Sequence, residues 1–209
     1  MTEEIKTGGE KIFSQGSEQL FIMDILEDMP KGKFLDIGAY DVFRFSNTRA
    51  LYETGKWGGI FVEPAPVNYA SIAEHYAADE KIQVLNIAIG ETNGEIDFYD
   101  SNGDAIGTTD LSHKAKWEAG GVEYTKIKVK QMAVEDFFNQ YGKDVDMISL
   151  DTERTNMVIF RLIPDWVWER LKLLVIEYDE GEQEIQDKLL NFGFNLLHKN
   201  GENLVLAKP

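Results

Sequence analysis

Short apolar runs alternate with amphipathic segments along the first part of the chain. The runs 33–37, 60–63 and 82–89 each end at a turn or a polar residue, as buried strands do. Between them, apolar side chains recur at helical spacing in the segments 47–54 and 69–76. Strands that alternate with helices are parallel and are joined by right-handed crossovers. The pattern therefore predicts a doubly wound α/β domain.

The segment 90–130 departs from this rhythm. Residues 95–99 and 123–130 alternate between apolar and polar side chains, which predicts half-exposed antiparallel strands. The stretch 101–121 between them is rich in Gly, Thr, Asp and Ser, so we expect a long loop there. We interpret 94–130 as a β and loop insertion whose loop serves as a substrate lid.

The rest of the chain completes one domain. Residues 194–198 and 204–207 flank Asn200-Gly201, a pair typical of a type I′ hairpin, so the sheet is expected to end in an antiparallel pair. Residues 1–13 lack apolar periodicity, and we expect a loose N-terminal segment followed by a single domain over 14–209. The remaining helices and strands are predicted at 18–29, 134–141, 146–151, 173–178 and 184–192.

Composition narrows the classes of function. The chain has no cysteine, which excludes disulfides, thiolate zinc sites and cysteine nucleophiles, and its three histidines lack helical metal-ligand spacing. A formal net charge of -16 repels phosphate backbones, so no nucleic-acid partner is expected. No apolar run approaches the ~20 residues that cross a bilayer, and the polar start is unlike a secretory signal. We expect a soluble, cytoplasmic protein without a membrane partner.

Polar residues follow the apolar runs at the carboxyl ends of the predicted strands. Ligands of open α/β sheets bind at that edge. Acidic side chains at the ends of buried strands are costly unless they have partners, so several together indicate a site. The residues are Asp36-Ile37-Gly38-Ala39, Glu63-Pro64, Asn86-Ile87-Ala88, Asp151-Thr152-Glu153 and Glu177-Tyr178-Asp179.

These strand ends favour a nucleoside ligand that carries no pyrophosphate. Gly38 has no Cβ and lets the backbone approach a ligand, and Asp36 can accept hydrogen bonds from a cationic amine. Glu63 closes the second strand, where an acidic side chain grips the ribose hydroxyls in nucleoside-binding folds. The dinucleotide fingerprint and the phosphate-binding loop are both missing. S-adenosylmethionine, with its adenine, ribose diol and charged amino acid end, meets this description.

The sequence resembles the FkbM family of methyltransferases. The resemblance lies in FSQGSEQ (13–19), FLDIGAYDVFRFSNTRALYETG (34–55), GIFVEPAP (59–66), VLNIAIG (84–90), ISLDTERTN (148–156) and LLVIEYD (173–179). It implies the class I methyltransferase fold, a three-layer sandwich around a seven-stranded, mostly parallel sheet whose last strand is antiparallel. It also implies S-adenosylmethionine as cofactor and O-methylation of a small molecule or saccharide.

The resemblance implies roles for individual residues. Asp36, Gly38 and Ala39 would line the amino acid end of the cofactor. Glu63 would hold the ribose, and Asp151 would lie beside the methionine portion and the reacting methyl. The expected cofactor-binding residues are Asp36, Gly38, Ala39, Tyr40, Ser46, Asn47, Glu63, Pro64, Asn86, Ala88 and Asp151.

Two residues depart from the family pattern. Val42 stands where many class I enzymes have a second glycine, which would widen or stiffen the turn. Arg154 stands where a glycine is expected, and it could pair with an acid, crowd the pocket, contact the substrate or remain a surface cation.

Methyl transfer to a hydroxyl requires positioning and a base that takes the proton. We expect Asp151 or Glu153 to be that base. Alternatively, two strand-end acids hold a divalent ion that activates the hydroxyl, with Glu177 and Asp179 as partners. Glu177 and Asp179 could equally cap a strand or the next helix. His113, within the polar loop, is expected to be exposed rather than to act as a base.

Two other classes of function remain. A nucleotide-sugar or NAD-dependent oxidoreductase is disfavoured by the missing phosphate loop. A degenerate methyltransferase fold could serve as a binding or scaffold module without catalysis, although the joint presence of Asp36, Glu63 and Asp151 speaks against degeneracy.

Overall fold

The computed structural model describes residues 11–209 and contains two β-sheets. Within these residues the strands are β1 (Gly32–Ile37), β2 (Trp57–Val62), β3 (Ile82–Leu85), β4 (Ala88–Gly90), β5 (Gly94–Asp100), β6 (Thr125–Ala133), β7 (Met147–Leu150), β8 (Leu173–Glu177), β9 (Asn195–Lys199) and β10 (Asn203–Ala207). The helices are α1 (Glu18–Leu26), α2 (Arg49–Glu53), α3 (Pro66–His75), α4 (Leu111–Ala119), α5 (Val134–Tyr141), α6 (Asn156–Leu162), α7 (Asp165–Arg170) and α8 (Glu182–Leu190).

The main sheet has seven strands in the order β3-β2-β1-β7-β8-β10-β9. Neighbouring strands are parallel from β3 to β8, whereas β10 runs antiparallel to both β8 and β9. The prediction of a seven-stranded, mostly parallel sheet with an antiparallel last strand is confirmed. The strand order reverses between β1 and β7, which is where open α/β sheets bind their ligands.

Helices cover both faces of the main sheet. Successive side chains of a strand point to opposite faces, so Phe34 of β1 packs in a core with α1, α2 and α3, whereas Leu35 packs in a second core with α5 to α8. Because both faces are buried, the central strands are continuously apolar. This arrangement explains why the apolar runs of the sequence predicted strands correctly.

The segment 82–89 was predicted to be one strand, and this is wrong. It forms two strands, β3 and β4, which belong to different sheets. β3 pairs with β2 in the main sheet, and β4 pairs with β6 in the small one. Between them, the Asn86 side chain donates to the carbonyl oxygens of Glu63, at 2.9 Å, and Pro64, at 3.0 Å. These bonds fix the chain where it leaves one sheet for the other.

The small sheet has the order β4-β6-β5, with β5 antiparallel to β6. The expected loop 101–121 is not a loop throughout, because it contains α4. The Asp110 side chain caps α4 by accepting a hydrogen bond from the His113 backbone N–H at 2.7 Å. The loop composition hid this helix, since few of its residues are apolar.

Other boundaries also differ from the expectation. The predicted helix 47–54 is shorter, because α2 spans only Arg49–Glu53, and α6 and α7 were not predicted. The turn between β9 and β10 is not type I′, since that turn needs positive φ at both central residues and neither Asn200 nor Gly201 has it. Instead, Asn200 Oδ1 accepts hydrogen bonds from the backbone N–H groups of Glu202 and Asn203.

The N-terminal segment is described only in part. Residues 1–10 of the predicted loose segment lie outside the described residues. Phe13 is buried, and its backbone N–H donates to Gln19 Oε1 at 2.8 Å. Among residues 11–209, no helix combines the length and apolar character needed to cross a membrane.

Candidate active site

Two adjoining pockets open at the carboxyl edge of the main sheet. The β2 pocket lies at the end of β2 and is lined by Glu63, Pro64, Ala88, Phe98 and further residues. The β7 pocket lies at the ends of β7 and β8 and is lined by residues that include Asp36, Asn47, His113, Arg154 and Glu177. Both pockets share the residues Gly38, Tyr40, Asp104, Ala105, Asp151 and Glu153. They therefore form one elongated cleft.

Gly38 lies where the two pockets meet. Its φ is 82°, in the left-handed region that favours glycine, and a Cβ at this position would lie 1.6 Å from the carbonyl oxygen of Asp151. The turn after β1 therefore rests directly on the backbone after β7. Only glycine fits this contact without moving one of the two turns.

Glu63 is buried at the end of β2 and is held by backbone donors. Its Oε1 accepts a hydrogen bond from the Ala65 N–H at 2.8 Å, and its Oε2 accepts one from the Tyr40 N–H at 2.9 Å. Burial raises the pKa of Glu63 to about 7, and the two hydrogen bonds oppose that rise. A carboxylate accepts about four hydrogen bonds, so each oxygen can take one more from a ligand.

Asp36 lies at the base of the β7 pocket, near the end of β1. Its Oδ2 accepts a hydrogen bond from Thr48 Oγ1 at 2.6 Å. Burial raises the pKa of Asp36 to about 7, although the Thr48 and Ser149 hydroxyls lower it in part. Asp36 lines the β7 pocket, and its ionised form would attract a cationic ligand there.

Asp151 and Glu177 end the neighbouring strands β7 and β8. Asp151 Oδ1 is buried and has no hydrogen-bond partner within residues 11–209. Burial, together with the Glu177 and Glu153 carboxylates, raises the pKa of Asp151 well above its usual value. Burial and the charges of Glu153 and Asp179 raise the pKa of Glu177 to about 7. Such a group of acids attracts a cationic ligand.

Glu153 and Arg154 occupy strained backbone positions beside these acids. Their φ angles are 53° and 84°, both in the left-handed region. The Glu153 carbonyl accepts a hydrogen bond from Thr108 Oγ1 at 2.8 Å, which joins the insertion to the loop after β7. Arg154 Nη1 lies 3.7 Å from Asp179 Oδ1. A glycine was expected at position 154, and the backbone there does have the conformation that favours glycine.

His113 of α4 also belongs to the β7 pocket. The expectation that it is exposed is wrong, because it is 7% exposed and its Nε2 lies 3.1 Å from Glu153 Oε2. Neither ring nitrogen makes a hydrogen bond of good geometry to any described residue. The signal that could have found it is the cap residue Asp110, three positions before it, which starts a helix within the loop.

Most of the predicted site residues line the cleft. Asn47 lines the β7 pocket and donates through Nδ2 to Ser149 Oγ at 3.2 Å, while its buried Oδ1 lacks a partner in the described part of the chain. Ser46 and Asn86 are not among the described residues that line either pocket. Ser46 Oγ instead accepts from the Arg49 N–H at 3.1 Å. The predicted residues that do line the cleft are Asp36, Gly38, Ala39, Tyr40, Asn47, Glu63, Pro64, Ala88, Asp151 and Glu153.

The turn after β1 contains Val42 where many class I enzymes have a second glycine. Val42 is buried in the core with α1 to α3 and its φ is not positive, so the turn after β1 is built without a second glycine.

No set of three or more His, Asp or Glu side chains in residues 11–209 is arranged to hold a metal ion. The divalent ion held by two strand-end acids, which was considered for activating the hydroxyl, stays a prediction.

Comparison with known proteins gives a family match and two structural likenesses. Residues 36–201 match the family model described as the methyltransferase FkbM domain. The fold is similar to the crystal structure of methyltransferase FkbM from Methylobacillus flagellatus KT, with a TM-score of 0.59, 12% identity, and 93% of this chain and 48% of that chain covered. The chain thus spans about half the length of that structure. No curated protein sequence matches the chain.

The second likeness is weaker. It is to precorrin-6y C5,15-methyltransferase from Geobacter metallireducens GS-15, with a TM-score of 0.48, 10% identity, and 96% of this chain and 92% of that chain covered.

Proposed function

Because the chain belongs to the FkbM methyltransferase family, we propose that it transfers a methyl group from S-adenosylmethionine to a hydroxyl oxygen of a small molecule or saccharide. The observation that carries the proposal is the continuity of the two pockets through Gly38, Tyr40 and Asp151. A cleft of this form suits a ligand with a nucleoside at one end and an amino acid at the other.

The β2 pocket suits the adenosine part of the cofactor. Pro64, Ala88 and Phe98 offer apolar surface for the adenine. Glu63 is fixed by its two backbone donors, and its remaining acceptor positions suit the two ribose hydroxyls. Asn86 would act indirectly, because it holds the backbone carbonyls of Glu63 and Pro64.

The β7 pocket suits the amino acid end and the methyl group. Asp151 Oδ1 and Asn47 Oδ1 are buried acceptors without a donor from residues 11–209, and an ammonium group supplies donors. Asp36 and Asp151 also complement the positive charges of the ammonium and the sulfonium. When bound, S-adenosylmethionine supplies a methyl group that its sulfonium already activates, so the protein's main task is to position the acceptor.

A scaffold without catalysis is the alternative function. Calorimetry with S-adenosylhomocysteine tests cofactor binding first, and NAD is the control ligand. We expect saturable binding of S-adenosylhomocysteine and none of NAD, and a protein that binds neither would contradict the proposal. Turnover of S-adenosylmethionine is then measured with a panel of phenols and methyl glycosides. Binding of S-adenosylhomocysteine without turnover of any acceptor would favour the scaffold.

Two further expectations stay predictions. The lack of a nucleic-acid partner is expected from the acidic net charge of -16, and the cytoplasmic location is a separate expectation that this charge does not bear on.

A further inference from the structure

His113 is a buried imidazole whose nitrogens the protein itself leaves unsatisfied. It is 7% exposed, and neither Nδ1 nor Nε2 has a hydrogen-bond partner among residues 11–209. A buried polar group in this state costs free energy and calls for an explanation. His113 lines the β7 pocket, but both ring nitrogens are buried, so a ligand in that pocket would become their partner only if the ring turns or α4 shifts on binding.

The position of His113 in the cleft indicates a contact with the acceptor rather than with the cofactor. It lines the β7 pocket but not the β2 pocket, whereas Asp151 lines both. It comes from α4, in the insertion that covers the carboxyl edge of the sheet, and Trp117 of the same helix lines the same pocket. The acceptor has to enter from this side, since the other end of the cleft suits the adenosine.

Glu153 is placed to orient the imidazole. Its Oε2 lies 3.1 Å from His113 Nε2, and its strained backbone is held by the Thr108 hydroxyl. The contact does not have the geometry of a hydrogen bond in the free protein. If the ring turns towards Glu153 when a ligand binds, the carboxylate would accept a hydrogen bond from Nε2–H, and Nδ1 would be left to accept a proton. This is the relation between base and orienting acid that recurs in hydrolases.

We propose that His113 is the general base of the methyl transfer and that Glu153 is its positioning residue. The inference rests on the proposed function and deepens it. The acceptor hydroxyl gives its proton to His113 Nδ1 as its oxygen forms a bond to the methyl carbon. The bond between that carbon and sulfur breaks, and its electron pair stays on sulfur. The imidazolium later releases the proton to water.

Three carboxylates lie near His113, and one of them, Glu153, contacts its ring. They are Glu153 after β7, Asp179 after β8, and Asp110 at the start of α4. Arg154 lies near Asp179 and offsets part of that charge. The carboxylates complement the positive charge that His113 acquires when it takes the proton.

Nitrogen NMR of the imidazole rings tests the inference without any acceptor. The chain has three histidines, so protein labelled with ¹⁵N in the histidine rings gives three ring systems. His113→Asn identifies the signals of His113. In the complex with S-adenosylhomocysteine at pH 8, we expect neutral His113 with its proton on Nε2. We expect Glu153→Ala to mix the two tautomers. A ring protonated on Nδ1, or one that is doubly protonated at pH 8, would overturn the inference.

Kinetics with the phenol and methyl glycoside panel gives a second test. For His113→Gln we expect kcat to fall by about 100-fold, with the affinity for S-adenosylhomocysteine within about twofold of wild type. We expect imidazole in the buffer to restore part of the activity of His113→Ala. The matched control is His198→Gln, because His198 lies in β9 and contacts Ser17 and Phe21 rather than the cleft.

The outcomes separate the inference from the proposed function. If wild-type protein does not bind S-adenosylhomocysteine, the proposed function fails and the inference fails with it. If the protein binds it and His113→Gln retains the wild-type kcat, the inference fails while the proposed function stands.

Discussion

The two halves of the cleft differ in how many of their polar groups the protein itself satisfies. In the β2 pocket, Glu63 accepts two backbone hydrogen bonds. Asn86 lies outside the pocket and donates to the carbonyl oxygens of Glu63 and Pro64. In the β7 pocket, Asp151 Oδ1, Asn47 Oδ1 and His113 have no partner in the part of the chain that the structure describes. The protein satisfies Glu63 in the first half, whereas in the second half it satisfies Asp36 through Thr48 but leaves these three groups without a partner.

The contrast follows from the elements that surround each polar group. The donors to Glu63 come from Ala65 in the same turn and from Tyr40 in the neighbouring turn after β1, so the strand ends satisfy it. The walls of the β7 pocket come from the strand ends and from the insertion. Acids collected there repel one another and are buried, which destabilises the free protein in favour of ligand binding.

The largest effect is expected where the two halves touch, at Gly38. Gly38→Ala places a Cβ 1.6 Å from the Asp151 carbonyl oxygen and also requires a left-handed alanine. We expect the free energy of unfolding in urea to fall by about 3 kcal/mol or more, and binding of S-adenosylhomocysteine to be lost.

Gly193→Ala is the matched control for this change. Gly193 has nearly the same φ, 84°, but a Cβ there meets nothing within 4 Å. It should cost only the left-handed backbone penalty of about 1 kcal/mol. Equal losses in the two variants would show that the contact between the two turns is not tight.

The second-largest effect on stability is expected at Glu63, in the β2 pocket. Glu63→Gln replaces one acceptor oxygen with an amide that faces a backbone N–H. We expect the free energy of unfolding at pH 8 to fall by about 1–3 kcal/mol, even without a ligand. A variant as stable as the wild type in urea titrations would mean that Glu63 is not held by these donors.

The pH dependence of binding tests the charges of the other half. Burial raises the pKa of Asp36 to about 7, so its carboxyl is neutral at pH 6 and ionised at pH 8. An ionised Asp36 attracts the ammonium of S-adenosylhomocysteine, so affinity should rise by up to about tenfold between pH 6 and pH 8. Calorimetry at both pH values measures this, and Asp36→Asn should bind weakly with less pH dependence.

The same raised pKa values act on stability with the opposite sign. Between about pH 4 and 7 the folded protein keeps protons on Asp36, Glu63 and Glu177 that the unfolded chain releases. Their contribution to the free energy of unfolding therefore falls as the pH rises through this window and is constant above it.

The smallest effect is expected at Asp151 and has the opposite sign to that at Glu63. Asp151→Asn keeps the shape of the side chain and removes a buried carboxyl that faces Glu177 and Glu153. We expect the free protein to gain about 1 kcal/mol of stability at pH 8 and to bind S-adenosylhomocysteine more weakly. If Asp151→Asn lowered the free energy of unfolding as Glu63→Gln is expected to do, the contrast between the two pockets would be contradicted.

The sequence predicts what periodicity and strand topology control. The bounds of α5, Val134–Tyr141, agree with the expectation because its apolar face is regular. The gathering of Asp36, Glu63 and Asp151 at one edge follows from parallel strands, whose carboxyl ends lie together. These features depend on local pattern and on one topological rule.

Features set by distant contacts could not be predicted. Nothing local indicates that His113 meets Glu153, because the contact forms only when α4 folds over the end of β7. The break between β3 and β4 depends on the Asn86 amide finding two carbonyls after β2. In both cases a side chain with several local options is fixed by a distant partner.

The short segment that joins β3 to β4 gives the molecule a mechanical property. One continuous stretch of chain is an edge strand of the large sheet at one end and a member of the small sheet at the other. The Asn86 side chain holds this stretch between β3 and β4, because it donates to the carbonyl oxygens of Glu63 and Pro64. Sequence changes in the small sheet would therefore act directly on the adenosine end of the cleft, because Ala88 of β4 and Phe98 of β5 line the β2 pocket.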